Sequence, residues 1–109
     1  MHVFEVKNGE LLSEITKQAN WAGVTNGAIV SLIGAADSFT ISTMPAHDAT
    51  ADNISTYQLP AEMHAIGEIT DGIVHVHATM AVQGDRAIAG HLHKAQIGTW
   101  FARAYVIQA

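Results

Sequence analysis

The chain has no cysteine, which removes disulfide staples, thiolate nucleophiles and thiolate metal ligands together. It is also poor in cations. Lysine occurs only at Lys7, Lys17 and Lys94 and arginine only at Arg86 and Arg103, 5 residues against 10 acids, for a net charge of −5 with neutral histidines. Nucleic-acid binding rests on neutralising phosphates, and each contact wants a cation. Five scattered cations make no patch, so autonomous DNA binding is not expected, and only an oligomer would concentrate them. No apolar run approaches the roughly 20 residues of a membrane span. Met1 to Glu10 carries Glu5 and Glu10 instead of a basic-then-apolar leader pattern. The expectation is a soluble, cytoplasmic protein with no membrane partner. Two enzyme signatures are missing as well: Gly23-Val24-Thr25-Asn26-Gly27 lacks the lysine and spacing of a phosphate loop, and there is no G-x-S-x-G.

What is present is a short, apolar chain: 109 residues, 49% hydrophobic and 14% charged. That size and composition predict one globular domain over residues 1–109. The surplus of alanine, valine and isoleucine suits a β-rich core, or a subunit that hides one face in an oligomer. One helix is predicted over Gly9 to Gly23, where Leu11, Leu12, Ile15, Ala19 and Ala22 recur at three- and four-residue spacing. Asn8 is placed to cap it, Glu10 and Glu14 suit its positive end, and Gly23 stops it. Strands are predicted at Met1–Lys7, at Ala28–Ala36 as a buried strand, at Phe39–Met44, Ile54–Leu59, Ala61–Ile69, Ile73–Val82 and Ala87–Ala95, and at Ile97–Ile107 as the closing strand. Thr70-Asp71-Gly72 and Gln83-Gly84-Asp85 read as turns. The layout, one helix and about seven mainly antiparallel strands, gives an α/β fold of the α+β kind.

Four of the seven histidines fall in two H-x-H pairs, His75/His77 and His91/His93, each flanked by apolar residues. Residues two apart on a strand share a face, so each strand sets two imidazoles side by side. The short Gly-Asp turn between the strands would bring both pairs into one neighbourhood. Neutral imidazole is a common ligand of zinc and other borderline metals, and zinc closes well on three histidines and a water. His75, His77 and His91 are the candidate ligands of a divalent metal, zinc in the first instance, although the same pattern suits iron, manganese, nickel or copper.

Other residues carry less. His93 shares the face of His91 only if the strand stays regular, and Gly90 hints at a bulge there. It is a candidate fourth ligand, hydrogen-bond partner to a ligand, or general acid. His64 lies on the preceding strand and is a candidate proton carrier, though a plain surface or core role suits it better. Glu68 and Glu62 precede the histidine strand. Either would orient an imidazole through its second nitrogen or act as a base toward metal-bound water, against the simpler reading of a solvated charge. His2 and His47 are expected to be solvated. Trp21, Trp100, Phe101 and Tyr105 are expected in the core or at a subunit contact.

Gly27-Ala28-Ile29-Val30-Ser31-Leu32-Ile33-Gly34-Ala35, Gly67-Glu68-Ile69, Gly72-Ile73-Val74-His75-Val76-His77-Ala78 and Gly90-His91-Leu92 together resemble successive motifs of the plant-and-prokaryote-conserved (PPC) domain, of the bacterial single-domain type. The resemblance covers nearly the whole chain. It implies an antiparallel sheet beside the helix, a homotrimer and, in some bacterial and archaeal members, a three-histidine metal cluster, often zinc. Carried over, that cluster is His75, His77 and His91. Plant members are DNA-associated and carry R-G-R-P hooks outside the domain, which this chain lacks. Three departures stand out. Ala89 replaces the first glycine of Gly-Gly-His-Leu, no acid follows Asp85 where the last strand usually holds one near Arg103, and His93 and His64 are additional imidazoles.

A cupin also uses H-x-H on a strand, but the glutamate expected four residues after the second histidine is Ala81, and the proline expected before the later glycine is Ala89. Three functions compete. The first is a metal-dependent small-molecule enzyme (hydrolysis, hydration or elimination) with His93, His64 or Glu68 moving protons at a pocket between subunits. The second is a metal-stabilised trimer without catalysis. The third is a DNA-associated regulatory or interaction module.

Overall fold

A computed structural model describes residues 1–109. The elements are β1 (His2–Val6), β2 (Gly9–Glu10), α1 (Leu11–Ala22), β3 (Gly27–Ala36), β4 (Ser38–Thr43), β5 (Asn53–Tyr57), β6 (Ala61–Thr70), β7 (Ile73–Val82), β8 (Arg86–Ile97) and β9 (Ala102–Gln108). All nine strands join one antiparallel sheet in the order β1-β9-β3-β6-β7-β8-β4-β5, with β2 paired to β8. The expected α+β architecture is present, with nine strands in place of about seven. Two local causes account for the difference in layout. Gly9 and Glu10 stay extended because they pair with Ile97 and Gln96. At the other end, Ile97 closes β8, and a turn at residues 98–101 separates it from β9, where the Asp37 carboxylate accepts from the Thr99 N–H at 3.1 Å.

That extension moves the helix cap. Glu10, not Asn8, is the N-cap, and its carboxylate accepts from the N–H groups of Leu12 at 3.0 Å and Ser13 at 2.9 Å. The same carboxylate takes the Ala95 N–H at 3.0 Å, so one side chain satisfies free helix-end donors and ties the helix to β8. Gly23 ends the helix at φ 74°, as its position predicts. Leu11, Ile15 and Ala19, four residues apart, form the buried stripe.

Helix α1 covers one sheet face. The core between them is drawn from the alternate residues of every long strand, among them Phe4, Leu32, Phe39, Ile69, Met80 and Leu92. The molecule is flat, 37 × 34 × 18 Å, and the opposite sheet face is uncovered. Strand β3 therefore departs from the expected buried strand. Only Ile29, Leu32 and Ala36 are buried, while Val30 and Ile33 are 47% and 54% exposed. A bulge between Ile29 and Leu32 resets its alternation, and its outer residues meet no second layer. No helix is long and apolar enough to cross a membrane.

Candidate metal centre

The cluster is built by a hairpin on the uncovered face. Val82 pairs with Arg86 across a three-residue loop in which Gly84 and Asp85 have φ of 87° and 59°. From there the register runs back to set His77 directly opposite His91. His75 follows on the same face of β7, while Val76 and Ala78 point into the core. On the other side β6 sets Glu68 opposite His75 and Ile66 opposite His77. Two glycines let these strands close up. A Cβ on Gly67 would collide with the His75 carbonyl oxygen, and one on Gly90 with that of Ser42.

His75, His77 and His91 each offer one ring nitrogen, and the three lie within 4.8 Å of one another. The Nε2 atoms of His75 and His77 are 3.2 Å apart. Two ligands on a tetrahedral zinc, each about 2.05 Å from it, sit about 3.3 Å apart, so this pair already has ligand spacing. The rings of His75 and His77 meet edge to face at 4.8 Å between centroids, and His91 lies 5.0 Å from His75 and 5.6 Å from His77. Burial lowers the pKa of His91 below the usual histidine value; repulsion from His93, His75 and His77 acts in the same direction, and Asp52 opposes it. A lowered pKa keeps the imidazole in its neutral, ligating form.

Glu68 Oε2 lies 3.4 Å from His75 Nδ1, the nitrogen turned away from His77. His93 sits at a bulge of β8, where Thr40 pairs with Lys94 but Ile41 with Leu92; the irregularity that Gly90 hinted at falls here. The His93 ring still stacks edge to face on His91 at 4.7 Å, and its Nε2 is 2.8 Å from the Oγ of buried Ser42. Ser42 is a residue that the sequence did not single out. Its alternation with Thr40 marked it as polar-faced, but only the β4–β8 pairing brings it to a histidine. A cleft of about 460 Å³ opens beside His77 and His91, bordered by Ser42, Met44 and Asp52.

The other sequence candidates lie outside the cluster. His64 is exposed opposite Thr79, and Glu62 is exposed opposite Ala81, on the same face but farther along the strands. His2 is partly buried and stacks on Phe4, whereas His47 is exposed. Trp21 and Trp100 are not core residues, being 92% and 65% exposed, because both stand at element ends with no layer above them. Arg103, which lacks an acid on its own strand, takes one from β1: its Nε donates to Glu5 at 2.7 Å across the Glu5–Arg103 register pair.

The sequence profile of the Plants and Prokaryotes Conserved (PCC) domain matches residues 1–109. No curated protein sequence matches the chain. Among solved structures, a protein from Ralstonia eutropha JMP134 described as a candidate DNA-binding protein superposes with a TM-score of 0.83 at 18% identity, covering 98% of this chain and 76% of that one. A plant- and prokaryote-conserved protein of Pyrococcus horikoshii gives 0.81 at 17% identity, over 99% and 79%. A metal-containing protein of Archaeoglobus fulgidus gives 0.80 at 18% identity, over 98% and 79%. These identities speak to the fold, which is the one that the profile match and the sheet order describe. The chain belongs to the Plants and Prokaryotes Conserved (PCC) domain family.

Proposed function

We propose that this domain binds a divalent metal, zinc in the first instance, on His75, His77 and His91, and that it uses the metal as a homotrimer acting on a small molecule by hydrolysis, hydration or elimination. The observation that carries the reading is the convergence of three neutral-capable imidazole nitrogens within 4.8 Å on one rigid hairpin. That donor set suits zinc. The metal-containing neighbour from Archaeoglobus fulgidus shares the fold.

The catalytic part of the reading rests on an open fourth position. Only three nitrogens converge, and the Nε2 of the nearest extra imidazole, His93, is engaged by Ser42. A metal held on these three imidazoles would lower the pKa of a bound water toward neutrality and polarise a carbonyl placed beside it. The cleft along His77 and His91 gives a small molecule its approach, and His93, Glu68 and His64 are the proton carriers available on that face. Nucleic acid is the weaker reading. Three of the five cations, Lys7, Lys17 and Arg103, already pair with acids, which leaves Arg86 and Lys94 for phosphates.

Elemental analysis of gently purified protein tests the reading. About one metal per chain is expected, falling to near zero in a His75→Ala/His77→Ala variant. Metal-free, folded protein that refuses added zinc would remove the proposal. Loaded protein should then hydrolyse or hydrate members of a panel of small carbonyl substrates, with the activity lost to chelator.

A further inference from the structure

Glu68 stands directly opposite His75 across the β6–β7 pair, and its carboxylate faces one nitrogen of that ring while His77 faces the other. The two contacts are coupled through the imidazole. A neutral imidazole has one N–H and one lone pair, and a carboxylate only accepts. With Nδ1 bare, His75 would set a lone pair against the carboxylate oxygen. With Nδ1 protonated it donates to Glu68, and its Nε2 lone pair is left facing His77.

Nε2 of His77, 3.2 Å away, must then hold the hydrogen of that contact, since two lone pairs at this distance repel. We propose that Glu68 is a positioning residue that locks His75 as an Nε2 ligand and imposes one proton order on the metal-free cluster. His77 donates from Nε2 to His75, and His75 donates from Nδ1 to Glu68. A metal held on both Nε2 atoms would require that hydrogen to leave. With a metal bound, His75 would keep its tautomer. His77 would then be neutral through Nδ1–H in place of Nε2–H, a change of tautomer with no net proton released from that ring. This inference rests on the metal reading for its purpose but not for the metal-free proton order.

Nitrogen-15 NMR of the histidine rings in metal-free protein at about pH 8, above the ordinary histidine range, reads that order directly. The wild type should show His75 protonated on Nδ1 and His77 on Nε2, and added zinc should convert His77 but not His75. An unconstrained imidazole favours the Nε2–H form, so the Nδ1–H form at His75 reports a local force. Glu68 is exposed, so its variants should fold. Glu68→Leu should return His75 toward the Nε2–H form and weaken zinc binding by about ten- to a hundredfold, the usual loss for a residue that orients a ligand. Glu68→Gln, which keeps an acceptor oxygen, should retain the tautomer and most of the affinity. His75 protonated on Nε2 in the wild type, or an unchanged tautomer in Glu68→Leu, overturns the proposal even if zinc binds. The predicted tautomers in a protein that refuses zinc would uphold the role of Glu68 and remove the metal reading.

Discussion

His91 and His93 are two residues apart, and their rings touch, yet they are given different work. His91 has its nitrogen in the convergent group, whereas His93 spends its Nε2 on the buried hydroxyl of Ser42. His91→Ala should therefore lower metal content to near zero. His93→Ala should leave it near one per chain while slowing any metal-dependent turnover, by about ten- to a thousandfold if His93 is a proton carrier. Metal analysis beside turnover separates the two. A different residue pair governs acid stability. The hydrogen bond from Arg103, with Lys7 and Arg103 as nearby positive charges, lowers the Glu5 pKa below its ordinary 4.5. A carboxylate lowered in the folded state contributes stability above its unfolded pKa and loses it as pH falls through the folded one. Glu5→Gln should thus be less resistant to urea than the wild type at about pH 7, and the gap should close toward about pH 3 as the carboxylate protonates.

At the scale of elements, the segment at residues 9–10 shows where the sequence is readable and where it is not. Local signals place the helix, its buried stripe and its Gly23 stop, because periodicity and a left-handed cap need no distant partner. The cap itself was read at Asn8 and lies at Glu10. Asn8 is the better local candidate, but β8 holds Gly9 and Glu10 extended and hands the cap to Glu10. The same division runs through the site. Alternation and a Gly-Asp turn sufficed to put both histidine pairs in one neighbourhood, but whether the two strands share a face was not legible, and the β7–β8 register that sets His77 opposite His91 decides it. Glu68, offered by the sequence as a residue to orient an imidazole, meets His75 across the short Asp71-Gly72 hairpin, whereas the Ser42–His93 contact and the partner of Arg103 depend on which strands become neighbours across longer connections, and neither spacing nor composition encodes that. Glu10 joins helix and sheet through one carboxylate with Leu12, Ser13 and Ala95 as donors. Glu10→Ala should cost about 1–2 kcal/mol, seen as a thermal midpoint lower by roughly 5–10 °C, and Glu10→Gln should recover part of it.

At the scale of the whole molecule, one face of the sheet is closed by α1 and the other carries both the histidines and exposed aliphatic side chains. Ile33 pairs across β3 and β6 with His64, and Ile66, 65% exposed, pairs with His77. Isoleucines set in water beside a polar cluster contribute nothing to the fold, and exposed apolar side chains grouped on one face mark a contact. The occupant proposed here is a further copy of the same chain, in the trimer that the PPC resemblance implies, with the cluster at or near the seam. Light scattering should then give three times the 11.6 kDa chain mass. Ile33→Glu, on β3 with β6 between it and the histidine strand β7, would bury a charge without a partner in that seam and should shift the protein toward the monomer. The proposed ligands His75, His77 and His91 all belong to one hairpin, so the monomeric variant should still hold about one metal per chain while losing any activity that needs a pocket shared between subunits. A wild-type monomer would remove the trimer. Metal lost together with the oligomer would mean that a neighbouring chain completes the centre, which the spacing of three nitrogens within a single protomer argues against.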